Sequence, residues 1–233
     1  MANTKRVSRL TRAAVVLIAV TAGLMAAADP TARAVDAKAI RVTSSNLITD
    51  PGTGQPTVVL SLYEDSLCPY CRRFEYTFGA TVDKLIDIGA VAADYYMVAI
   101  LDRPGRDYPS RAGAAAYCVA DQSIDAFRRF HAALYAHQPA ETAASFPDDA
   151  ALIDIARQAG AGDAAADCIN NDTYTAMVAG IAEATNVTHT PTVRINGQYY
   201  ELSTPEALAA RIKEIVGPVP GIDARATSST RPS

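Results

Sequence analysis

The sequence has no excess of basic residues: 21 Lys and Arg stand against 25 Asp and Glu, for a formal charge of −4. Nothing in that balance suggests a nucleic-acid partner. No uncharged run reaches the ~20 residues that a bilayer-spanning helix needs; the run Ala13–Ala28 is 16 residues long. Only four cysteines are present, none of them near that run, which leaves no lipoprotein anchor there. There is no second Cys-X-X-Cys and no His-X3-His, so the four ligands of a structural zinc site cannot be assembled from sequence motifs. No internal repeat is visible.

The amino terminus reads as a targeting segment. Lys5, Arg6, Arg9 and Arg12 precede Ala13–Ala28, and Ala32-Arg33-Ala34 follows as a small-X-small cleavage pattern. Residues 1–34 are therefore expected to be a cleaved signal peptide or, alternatively, an uncleaved anchor through residues 13–28. Without them, 16 basic side chains face 24 acidic ones, a charge of −8. Either reading places the remaining chain outside the cytoplasm, in a periplasm, cell envelope or medium where disulfides persist.

What is present is organised around Thr57–Cys71. An apolar, β-branched segment passes through a short polar turn into Cys68-Pro69-Tyr70-Cys71 and then into helix-forming sequence. At that position the first cysteine meets unpaired backbone N–H groups and the positive end of the helix dipole, which favour a thiolate. Pro69 suits the first helical position, where its missing N–H costs nothing. Cys71 lies one turn on, in reach of a small disulfide. Redox chemistry is the favoured reading, with an inert staple or a zinc half-site as the alternatives.

Along the chain, Ile40–Val42 reads as a short edge strand and Thr57–Tyr63 as a buried one. Helical sequence from Pro69 to Gly89 carries Phe74, Phe78, Val82, Leu85 and Ile86 at spacings of three and four, and Val91–Ile100 is a second strand. Strand, helix and strand make a βαβ unit with a parallel pair. Alanine-rich helices then fill 110–121, 124–137, 148–159, 163–170 and 174–184. Thr192–Ile195, Asn196-Gly197 and Gln198–Glu201 form a hairpin signal, and Ser203-Thr204-Pro205-Glu206 opens a last helix ending at Gly217-Pro218. The expected organisation is 35–107 and 186–217 as two parts of one α/β domain, 108–185 as an all-helical insertion, and 218–233 as an unstructured tail.

This layout resembles the thioredoxin fold, a central mixed sheet flanked by helices, interrupted by a helical insertion as in DsbA-like disulfide oxidoreductases. The resemblance rests on Tyr63–Glu75 with its Cys68-Pro69-Tyr70-Cys71, on the place of the helical block, and on Val187-Thr188-His189-Thr190-Pro191-Thr192-Val193. It implies that Thr190-Pro191 is a cis-proline pair beside Cys68, where a substrate segment docks, with His189 on the same loop. It also implies donation of a disulfide to unfolded exported proteins with free thiols. Reoxidation would come from a quinone-coupled membrane partner of the DsbB or vitamin K epoxide reductase type. A monomer is expected, with no cofactor and no metal. A reductase or isomerase of the same fold is the runner-up, and a peptide-binding module with a purely structural active-site disulfide is a third reading.

One departure concerns proton handling. Relatives of this fold often bury an acid six residues before the first cysteine, and here that residue is Leu62. The nearest acids, Glu64 and Asp65, are expected in a solvated turn, with a proton relay as the alternative. Cys118 and Cys168, an even pair in an exported protein, read most simply as a structural disulfide; free thiols or a second redox pair stay open. His131 and His137, six apart, are expected to be ordinary surface or partly buried histidines.

Overall fold

In the computed structural model, which describes residues 37–223, a three-residue strand β1 (Ile40–Val42) precedes the central strand β2 (Val59–Asp65). The signal or anchor segment read at 1–34 and the tail from residue 224 lie outside the described residues. β2 feeds α1 (Pro69–Asp87), and β3 (Ala92–Val98) returns parallel to β2, with Val59 opposite Ala92 and Asp65 opposite Val98. Five helices follow: α2 (Tyr108–Ala120), α3 (Ile124–Ala136), α4 (Asp149–Gln158), α5 (Asp163–Asn170) and α6 (Thr175–Ala184). The hairpin β4 (Thr192–Ile195) and β5 (Gln198–Tyr199) and the helix α7 (Pro205–Val216) complete the chain. Among the described residues the sheet order is β1-β3-β2-β4-β5, with β1 and β4 antiparallel to their neighbours. This is the mixed sheet of a thioredoxin fold. No helix among these residues is long and apolar enough to cross a membrane.

Local chemistry sets the boundaries. Ser123, Asp148 and Thr204 cap α3, α4 and α7 by accepting from the backbone N–H three residues on, at 3.2, 2.9 and 3.1 Å. Asn196 and Gly197 both sit at positive φ, as a two-residue hairpin turn requires. The Asn196 side chain also accepts from Val59 N–H at 2.8 Å and donates to Thr57 O at 3.1 Å, tying the hairpin to the start of β2. Gly89, at φ +75°, ends α1 where a Cβ would lie 2.1 Å from Asn46 O. Gly89→Ala combines left-handed strain of about 1–2 kcal/mol with a backbone clash. A drop in stability of at least ~2 kcal/mol is expected in denaturant titration.

Packing brings the helical block onto the βαβ unit. α3 runs antiparallel along α1: Arg128 bridges Asp83 and Asp87 at 3.0 and 2.8 Å, and three residues further along α3 His131 faces Glu75 at 3.7 Å. One turn on, Tyr135 packs with Cys68 and Cys71. α2 approaches β3 and α6 on small residues; a Cβ at Gly113 would sit 2.7 Å from Val178 and 3.1 Å from Met97. Cys118 of α2 and Cys168 of α5 form a disulfide with a Cα–Cα distance of 5.7 Å.

Two expectations are corrected. Residues Pro218–Asp223, read as the start of an unstructured tail, pack against the domain. Ile222 is buried, its carbonyl accepts from Lys84 Nζ at 3.1 Å, and Lys213 pairs with Asp223. β2 extends through Glu64 and Asp65 instead of ending at Tyr63, because the pairing with β3 continues to Val98. Those two acids are therefore buried strand residues and not part of a solvated turn.

Candidate active site

Cys68 is the N-cap of α1, with extended backbone angles, and Pro69 occupies the first helical turn as its fixed φ dictates. Both thiols are free. Cys68 retains 5% exposure and Cys71 none, so an incoming sulfur meets Cys68 first. The Cys68 thiol is brought down to about 6, first by a hydrogen bond from the Cys71 thiol, against the opposing effect of burial, and then by Thr190 and the N–H groups of Cys71 and Tyr70. Burial pushes the Cys71 thiol well up, and the nearby Cys68 and Glu64 push it further. One dithiol thus holds a ready thiolate and a protonated partner. In reduced protein, alkylation of Cys68 should follow a midpoint near pH 6, with Cys71 unmodified until far higher pH. Mass spectrometry after short exposure to iodoacetamide reads this directly, and equal rates at the two sulfurs would contradict it.

The Thr190–Pro191 bond is cis, and Cys68 Sγ lies 3.5 Å from Thr190 O. The loop implied by the resemblance and the Cys-X-X-Cys turn therefore meet in space. Around them, Tyr70 is 69% exposed and His189 is exposed with its ring 6.2 Å edge-on to Tyr199. Pro69 is also exposed. The opposite flank is held by the helical block: Gln138, just after α3, donates at 3.1 Å to Ser66 O and at 2.9 Å to Cys68 O.

Behind the thiols the core is polar. Asp65 accepts from Leu67 N–H at 2.8 Å and Leu101 N–H at 2.9 Å, while its own N–H donates to Cys71 Sγ at 3.4 Å. Burial raises its carboxyl to about 7, although both N–H groups oppose the shift. Glu64 Oε2 lies 2.9 Å from His131 Nε2, and Glu75 Oε2 lies 3.7 Å from His131 Nδ1. All three residues are at most 5% exposed. Their donor atoms lie within 4.8 Å of one another, a set able to offer three ligands to a metal ion. In the structure Glu64 and His131 form a hydrogen bond, and the rings of Tyr95, Phe127 and Tyr135, with centroids 4.9, 5.5 and 5.1 Å from the imidazole, enclose it.

The structure brings the expected Cys68, Pro69, Tyr70 and Cys71, at the start of α1, up to the 189–191 loop through the Cys68–Thr190 contact. Glu75, His131, Tyr135 and Gln138 stand beside them without having been expected there, and His131 is buried where a surface or partly buried residue was expected. A signal existed: Phe127, His131 and Tyr135 recur at four-residue spacing, which places the histidine on the apolar stripe of α3.

Fold and dithiol together define the class, a DsbA-like member of the thioredoxin fold. The comparison with known families agrees. The family model described as thioredoxin matches residues 49–214, and the chain belongs to that family. A solved structure of the disulfide bond oxidoreductase DsbG from Mycobacterium tuberculosis is 61% identical, with a TM-score of 0.79 over 82% of this chain and 95% of that one. Reduced DsbA from Mycobacterium tuberculosis is likewise 61% identical, with a TM-score of 0.78 over 80% and 96%. The thiol–disulfide oxidoreductase MdbA of Corynebacterium matruchotii shares the fold at 24% identity and a TM-score of 0.61, over 72% of this chain and 85% of that one. Among curated sequences, the serine/threonine-protein kinase PknE of Mycobacterium tuberculosis is 30% identical over 162 residues, 66% of this chain; the chain spans 28% of that relative's length.

Proposed function

We propose that this chain is an extracytoplasmic thiol oxidase that donates the Cys68–Cys71 disulfide to unfolded exported proteins. The observation that carries the reading is the asymmetry of the dithiol: Cys68 lowered to about 6, Cys71 raised and fully buried. A substrate thiolate attacks Cys68 Sγ, the new S–S bond forms, and the Cys68–Cys71 bond breaks with its electron pair on Cys71. A second substrate thiolate then attacks the substrate sulfur of the mixed disulfide, and Cys68 leaves as a stabilised thiolate. The substrate is oxidised and the protein keeps two electrons and one proton on Cys71.

The direction follows from the same asymmetry. At pH 7 a thiol near 6 is ionised roughly ten to one, which favours the reduced protein about tenfold over one with an ordinary thiol near 8.5, or ~30 mV for this two-electron couple. Because the value is lowered, that stabilisation is complete above about pH 8.5 and is lost as pH falls through about 6. Tyr70, His189, Thr190 and Pro191 are the rim on which an extended substrate segment would rest. A quinone-coupled membrane protein of the DsbB or vitamin K epoxide reductase type would restore the disulfide, and the domain would work as a monomer. The DsbA and DsbG names of the 61%-identical structures support the reading. Paired assays test it. Stoichiometric oxidation of a dithiol peptide by the oxidised protein, with slow reduction of insulin, is the expected pattern. Rapid insulin reduction with poor peptide oxidation would move the assignment to a reductase, and inactivity in both would leave only a binding module.

A further inference from the structure

The surface just beyond the dithiol carries two guanidiniums that the fold itself does not use. Arg72 and Arg73 follow Cys71 directly on α1, and both are exposed. Neither side chain has a hydrogen-bond or ion-pair partner among the described residues. Every other lysine and arginine in that range holds a carboxylate or a carbonyl. Even Arg103 and Arg106, on the loop after Leu101, are engaged by the carbonyls of Ile100, Asp102 and Glu141. Helix formation does not account for the pair. Cations are favoured at the C-terminal end of a helix, and these stand near the N-terminal end. The first acid of α1, Glu75, is buried.

Their position is set by helical geometry. Arg72 N–H donates to Cys68 O at 3.2 Å, so this arginine lies one turn beyond the N-cap and on its side of the helix. Side chains lean back toward the helix N-terminus, which carries both guanidiniums toward the level of Cys68 and Tyr70. A client joined to Cys68 by a mixed disulfide extends by about 3.3 Å per residue. Its side chains one to three positions from the bonded cysteine therefore pass within reach of the two charges. The cleft between α1 and α7 opens one turn further on, lined by Tyr76, Thr77, Pro205 and Glu206. Glu206 pairs with neither arginine. From residue 35 onward acids outnumber bases 24 to 16, so this cationic spot belongs to an otherwise negative chain.

We propose that Arg72 and Arg73 are specificity-determining residues that select client segments carrying Asp or Glu within three residues of the reacting cysteine. Each guanidinium offers a fork of N–H donors that matches a carboxylate. The contact forms as the client sulfur approaches Cys68 and persists in the mixed disulfide; it takes no part in the exchange of electrons. The inference deepens the proposed thiol exchange by naming its substrate class, and it does not depend on the direction of exchange.

Two measurements test it. Iodoacetate and iodoacetamide attack the same Cys68 thiolate, so the ratio of their rates cancels its ionisation and reads the local charge. Arg72→Gln with Arg73→Gln should lower that ratio about threefold at low salt. Dithiol peptides flanked by Glu should react about three- to fivefold faster in kcat/KM than their Gln counterparts. That preference should vanish near 1 M salt, where the screening length is ~3 Å. The double Gln variant should bring the peptide ratio to about one, and Arg72→Glu with Arg73→Glu should turn it toward Lys-flanked peptides. Arg157→Gln, on α4, should keep it. A peptide ratio near one in the unmutated protein, or one that survives the double substitution, overturns the proposal. So does an absent peptide preference with binding to phosphatidylglycerol vesicles that the double variant loses, which would make the pair a membrane contact. If the peptides are not oxidised, the ratio is read from reduction of the matching peptide disulfides by reduced protein. If neither reaction occurs, the reagent ratio decides alone, and one that the substitutions leave unmoved overturns the proposal. Failure of the oxidase reading and failure of the selectivity are thereby told apart.

Discussion

Replacement of Cys68 by alanine is expected to reduce peptide oxidation to the uncatalysed rate, while the fold is retained. The remaining sulfur cannot substitute. Cys71 has no exposed surface, and its thiol is held protonated by burial and by the negative charge of Glu64. The reverse variant, Cys71→Ala, leaves a nucleophile with nothing to resolve it. It should collect mixed disulfides through Cys68, visible as thiol-sensitive adducts on non-reducing gels. Residual oxidation in Cys68→Ala above background, or an adduct-free Cys71→Ala, would place the attacked sulfur elsewhere.

The Cys118–Cys168 bridge should behave in the opposite way, with a large effect on stability and little on chemistry. It closes a separation of 50 residues between α2 and α5. In the chain-entropy account, closing a loop of that size stabilises by about 4 kcal/mol. For a domain of this length, removing it should lower Tm by about 8–16 °C. Cys118 is buried among the alanines of α2, so Cys118→Ala and Cys168→Ala together add a small cavity to the lost cross-link. The check is a melting curve with an oxidation assay at moderate temperature. Unchanged melting with lost activity would mean that this pair relays electrons and does not brace the helices.

The sequence made some of this architecture legible because the responsible physics is local. Pro69 after Cys68 announces a helix start, Asn196-Gly197 announces a hairpin, and Thr204-Pro205-Glu206 announces α7; each needs only its own backbone. The parallel β2–β3 pair followed from the length of the intervening helix. Glu64 and Asp65 were not legible because their surroundings come from elsewhere. The Leu67 and Leu101 N–H groups that meet Asp65, and the His131 that meets Glu64, lie two, 36 and 67 residues away. Two acids after an apolar strand normally mark its emergence into water; here α3, docked along α1, covers Glu64 through His131, and the Leu67 and Leu101 N–H groups enclose Asp65. Gln138 was not legible for the same reason, since the carbonyls it reaches, Ser66 O and Cys68 O, belong to the active-site turn 70 or more residues away.

The sheet among the described residues ends in β1, of three residues, and β5, of two. Such stubs expose too few free N–H and C=O groups to recruit another chain by strand addition. For a protein that would meet polypeptides before they fold, this matters in crowded surroundings. Backbone that is still unpaired in a client finds little to zip onto at either border, so an encounter can end when the sulfur exchange ends. Brevity at the rims would thereby keep the protein from seeding aggregates of such clients.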